Sequence, residues 1–167
     1  MSRAFVKESD ESAASEALPE RPLADHPNYV TPAGLAQLRA RLHALAETRE
    51  RLKAVDDAEP LARGQRLEAE RDARYVAAQL ERAIVVDPDG QPKDEVRFGA
   101  TVTLRDEAGR THTFVIVGDD ESDVAAGRIS WATPLAKLLI GLKHGDTAVW
   151  KRPDGALEIE VTGIHYA

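Results

Sequence analysis

The hydrophobic period of this chain changes once, and that change decides what it can fold into. Over residues 31–84 apolar side chains recur every three or four positions; beyond residue 95 they alternate with polar ones. The first period suits a helix with one buried face, the second a strand with one buried face. Helices first and strands second predict an α+β protein rather than interleaved βαβ units.

Thr31 and Pro32 open the first helix, a hydroxyl at the N-cap and a ring at position N1. Leu35, Leu38, Leu42, Leu45 and Leu52 follow as a heptad seam interrupted at Arg49. A second helix starts at Pro60, with a seam of Ala69, Ala73, Val76, Leu80 and Ala83. The arms, 31–55 and 60–84, are each about 37 Å long at about 1.5 Å per residue. A short connection between equal arms predicts an antiparallel hairpin, and alanines facing leucines allow close approach. The turn "VDDAEP" carries Asp56, Asp57 and Glu59. Carboxylates ahead of a first helical turn satisfy free amides and favour the helix dipole, each contributing about 0.5–1 kcal/mol. The same three residues would also make an acidic tip.

Residues 1–29 read as a disordered leader, because apolar residues are too sparse there to bury a face. The hairpin occupies 30–86. "DPDGQPKDE", 87–95, reads as a linker of turn formers. Residues 96–167 form the second domain. Its strand patterns are "VRFGATVTLRD", "RTHTFVIVG", "TAVWKR" and "LEIEVTGIHY", with a shorter one in "ISWATPLAKLLIG" that leads into a short helix capped by Thr133 and Pro134. The layout predicted is a strongly twisted antiparallel sheet carrying one short helix.

Several chemistries are excluded or disfavoured. The chain has no cysteine, so thiolate metal sites and cysteine nucleophiles are out. Its net charge of −7 argues against direct, sequence-independent binding to nucleic acid, which needs clustered Lys and Arg. The five histidines show no paired ligand spacing, and His43 lies off the leucine seam. Trp131 and Trp150 read as packing residues, and "DDESD", 119–123, as a solvated loop lacking the calcium-loop pattern. No apolar run is long enough to span a membrane, and no signal-peptide pattern is present, so the compartment expected is the cytoplasm.

The segments "FGATVTL" (98–104), "FVIVGDDESD" (114–123), "ISWATPLAKLLIG" (129–141), "GD" (145–146) and "EIEVTGIHY" (158–166) resemble the C-terminal domain of the Gre transcription elongation factors, in the same order and spacing. Thr31, Gly34 and Leu38 resemble the "T-x-x-G-x-x-x-L" that opens the family's hairpin. The resemblance spans 30–166. It implies a coiled-coil hairpin followed by an FKBP-like domain of twisted sheet and short helix.

It also implies a function: binding to bacterial RNA polymerase, with the C-terminal domain on the coiled coil at the rim of the secondary channel and the hairpin inside the channel. Ala132, Thr133 and Pro134 stand where the family's docking loop lies. Asp57 and Glu59 are the positional counterparts of tip acids that help hold a magnesium ion shared with the polymerase. The family's tip motif, of the form "GD-[LR]-x-EN-A-[ED]-Y", is replaced here by "AVDDAEPLARG", on arms about two turns shorter. The expectation is therefore a monomeric, non-enzymatic elongation factor that meets nucleic acid only within the elongation complex. The alternatives are a shortened, Rnk-like regulator that occupies the channel without stimulating cleavage, and an FKBP-like peptidyl-prolyl isomerase. The isomerase is disfavoured because the domain has few aromatics with which to line a pocket.

Overall fold

The computed structural model describes residues 18–55 and 59–167. In chain order the elements are β1 (Asn28–Val30), α1 (Pro32–Lys53), α2 (Pro60–Glu81), β2 (Ala83–Val85), β3 (Thr101–Asp106), β4 (Thr111–Val117), β5 (Arg128–Ser130), α3 (Pro134–Leu139), β6 (Thr147–Arg152) and β7 (Gly155–His165). They fall into two compact units. One contains residues 18–23 and 40–78, the other 24–39 and 79–167. The division runs through both long helices, not through the linker expected at 87–95.

Each long helix has 22 residues, three fewer than its expected arm. α1 stops at Lys53, and α2 stops before Ala83, which the helical seam had claimed but which lies in β2. In the first unit Ala62, Ala69 and Val76 are buried at seven-residue intervals on α2, while Leu42, Leu45 and Leu52 of α1 are half-buried. Small side chains on the buried stripe let the helices approach closely. Arg41 of α1 stands 3.9 Å from Asp72 of α2, which sets the arms antiparallel about the turn between them.

Residues 18–29, read from the sequence as leader, carry contacts of their own. Glu20 pairs with Arg74 at 2.7 Å, and the Arg21 guanidinium lies 3.8 Å over the Tyr75 ring. In the second unit Asn28 and Val30 are buried in β1, which pairs in parallel with β2. Isolated polar residues had hidden these anchors, since each one acts through a partner more than fifty residues away. Residues 1–17 lie outside the described residues.

The second unit is built on a five-stranded sheet ordered β5-β4-β3-β7-β6. Its pairs are antiparallel as expected, except that β5 joins β4 in parallel, so the sheet is mixed. The loop 118–127 carries the chain back to start β5 in the same direction as β4. Val102, Leu104, Ile116, Ile159 and Val161 point to one face, and α3 covers it with Leu135, Ala136 and Leu139. Burying a leucine or isoleucine side chain of this kind stabilises by about 1.5–3 kcal/mol. Tyr166 pins the start of the domain to its end: its hydroxyl donates to the Glu95 carbonyl at 2.6 Å and accepts from Arg97 N–H at 2.9 Å. Among the described residues no helix is long and apolar enough to cross a membrane.

Candidate functional site

The sequence-level candidates fall at two places. Asp56 and Asp57 lie outside the described residues. Glu59 is exposed immediately before Pro60, where its carbonyl accepts the Arg63 amide at 3.1 Å, so it occupies the cap position of α2. Among the described residues no group of three or more His, Asp or Glu is arranged to hold a metal ion. The described part of the tip therefore offers one carboxylate, that of Glu59.

Ala132, Thr133 and Pro134 sit together at the N-terminus of α3. The Thr133 hydroxyl donates to the Ser130 carbonyl at 2.7 Å and accepts from the Ala136 amide at 3.4 Å, the N-cap role expected of it. Pro134 is exposed at N1, where its missing N–H costs nothing. The Ala132 amide donates to Ser130 Oγ at 3.1 Å. These bonds turn a short loop into a fixed surface with a proline ring outward.

Beside this loop is an open cleft of about 440 Å³ lined by Tyr29, Phe98, Trp131 and Ile140. The Trp131 ring meets Tyr29 edge-on at 5.0 Å and His26 at 5.1 Å, and Tyr29 lies 6.1 Å from Phe98. Trp131 thus packs, as expected. The cleft itself was missed, because its aromatics come from positions 29, 98 and 131, and the first lay in the supposed leader. Trp150 likewise packs, edge-on against Phe114 at 5.8 Å.

In "DDESD" Ser122 and Asp123 are exposed, but the first three acids are half-buried and bonded. Asp119 accepts from the Ser130 hydroxyl and lies 3.2 Å from His26 Nε2. Asp120 accepts from Gln79 Nε2 at 2.7 Å, at the end of α2. Glu121 accepts from Thr31 N–H at 3.0 Å, from the Thr31 hydroxyl, and from Gly118 N–H at 3.2 Å. The Thr31 hydroxyl in turn accepts the Gly34 amide at 2.9 Å, confirming Thr31 as the N-cap of α1. Gln79 is buried, and its carbonyl accepts from Asn28 Nδ2 at 2.8 Å. Three consecutive acids in a single turn of 3₁₀ helix, Asp119–Glu121, are therefore each spent on a different element: the segment before β1, the end of α2 and the start of α1. Charge-assisted bonds of this kind are stronger than neutral ones.

Fold and site together define a two-unit α+β protein, a helical hairpin and a curled sheet, with Glu59 and Pro134 exposed. The comparisons place that class. The model of the GreA/GreB transcription elongation factor C-terminal domain matches residues 91–166. Transcription elongation factor GreB of Neisseria meningitidis serogroup B is 38% identical over 154 residues, covering 83% of this chain and 94% of the relative. Transcription elongation factor GreA of Ralstonia nicotianae is 42% identical over 93 residues, covering 54% of this chain and 59% of the relative. The solved GreA/GreB elongation factor of Nitrosomonas europaea aligns with 83% of this chain and 99% of its own, at 25% identity and a TM-score of 0.43. The chain belongs to the GreA/GreB family of transcription elongation factors.

Proposed function

We propose that this factor binds RNA polymerase and modulates elongation, with the sheet unit docking at the rim of the secondary channel and the helical hairpin reaching into it. The observation that carries the reading is 38% identity along 94% of an elongation factor, which takes in hairpin and sheet alike. The fixed surface at Ala132, Thr133 and Pro134 supports it. A docking face needs little reorganisation on binding when its loop is already held by hydrogen bonds. Nucleic acid is met only within the complex, consistent with a net charge of −7. The chain supplies no catalytic centre of its own; any magnesium ion involved belongs to the polymerase.

One observation favours occupancy of the channel without stimulation of cleavage. The alignment to GreB runs over 154 residues but takes up 83% of this 167-residue chain, about 139 residues, so roughly 15 residues of the relative have no counterpart here. Two turns removed from each of two arms would account for about 14 residues. A carboxylate short by two turns cannot coordinate a metal, whose ligand oxygens stand about 2 Å away.

The test is direct binding of the purified chain to RNA polymerase. The reading expects binding that is weakened when Thr133 and Pro134 are both changed to alanine, and absence of any binding by the wild type would refute it.

A further inference from the structure

Glu121 ties the loop after β4 to the start of α1. Its carboxylate takes the Thr31 amide, the Thr31 hydroxyl and the Gly118 amide, and through the Thr31 hydroxyl it reaches the Gly34 amide in the first turn of α1. Gly34 is buried, and a Cβ there would overlap the Glu121 carboxylate. Glycine weakens a helix relative to alanine. Here it opens the space through which a loop carboxylate reaches the helix start. The neighbouring Asp120 bonds Gln79 at 2.7 Å, so the same turn also holds the last residues of α2.

We propose that Glu121 is a positioning residue for the elongation activity, locking the first turn of α1 onto the loop that follows β4. The proposal rests on the channel-binding reading above. α1 is one unbroken helix from Pro32 to Lys53, so the turn that Glu121 holds opens the first arm of the hairpin. The candidate docking residues Thr133 and Pro134 lie on a separate turn, held through Ser130 and Ala136. Thr31, Gly34 and Glu121 thus form one lock, with Glu121 the bolt and Gly34 the space it occupies.

The experiment uses the full chain as wild type, E121A, E121Q, G34A and the double variant G34A/E121A. Three quantities are read: affinity for polymerase, effect on elongation, and amide exchange at Gly34 and Leu35 in the free protein. The lock predicts that E121A keeps the affinity of the wild type, loses most of the elongation effect and exchanges faster at both amides. E121Q, which retains an acceptor oxygen, recovers part of each. G34A behaves like E121A, but adding it to E121A costs nothing further, since the carboxylate it would strike is gone; residues in contact commonly show coupling of about twofold or more. The proposal is overturned if E121A loses elongation only in proportion to lost affinity, if its elongation effect is unchanged, or if G34A is as damaging with alanine at 121 as with glutamate. A wild type that does not bind polymerase would fell the functional reading and the positioning role with it. Faster exchange in E121A would still show that the lock itself exists.

Discussion

His112 Nε2 lies 3.0 Å from the Asp106 carboxylate, across the β3–β4 hairpin. Asp106 is buried, and it also accepts from the amides of Ala108 and Arg110 at 3.0 and 2.8 Å and from Arg110 Nε at 2.9 Å. A single side chain therefore closes the turn and satisfies itself, as a buried carboxylate must. The His112 hydrogen bond, followed by those from Arg110, outweighs burial and holds its pKa down to about 2.

That depression fixes a pH dependence. The folded-state pKa lies below the unfolded value of about 3.9, so the stabilisation is present above that value and is lost as pH falls through about 2. The Tm of the wild type should drop more steeply between pH 4 and pH 2 than that of Asp106→Asn. Parallel curves for the two would contradict the assignment.

Leu139 is fully buried on α3 against the sheet. Leu139→Ala should cost about 2–5 kcal/mol by denaturant unfolding of the sheet unit, the usual range for such a cavity. A loss below about 1 kcal/mol would mean that α3 is not part of the core.

Thr133 carries both a cap and a candidate contact. Thr133→Ala should lower stability by about 1 kcal/mol through the lost cap alone. Pro134→Ala should leave stability within about 0.5 kcal/mol, since its ring is exposed. Both should weaken polymerase binding. If binding tracks stability and only the threonine matters, the loop is a helix start and nothing more.

Ala69 lies on the buried stripe of α2 and is 6% exposed. Ala69→Leu should overpack the seam and cost about 1–3 kcal/mol, seen as lost helicity by circular dichroism. An unchanged melting curve would show that the arms are spaced for a larger side chain.

What the sequence disclosed, and what it hid, follows the range of the interactions. Thr31, Pro32, Thr133 and Pro134 announce helix starts because capping is settled within four residues. The core faces of β3 and β7 are legible because alternation is local. Asp119–Glu121 looked like solvent-exposed acid because their partners, His26, Gln79 and Thr31, all lie far away along the chain, the nearest 41 residues off. The parallel β4–β5 pair was invisible for a related reason: a three-residue strand carries no sign of its direction. The aromatic cleft needed Tyr29, and Tyr29 became structural only through the pairing of β1 with β2. At the tip the residue types were plain, but whether their carboxylates reach a metal is a matter of arm length against a partner.

The measurement closest to the central claim is transcript elongation and cleavage in purified, backtracked RNA polymerase complexes. Wild type is compared with a variant in which Asp56, Asp57 and Glu59 are all alanine. The account predicts that both bind, that wild type alters elongation, and that neither accelerates cleavage. Cleavage stimulated by the wild type and abolished in the triple variant would contradict it, showing that the shortened hairpin does bring its acids to the polymerase's metal.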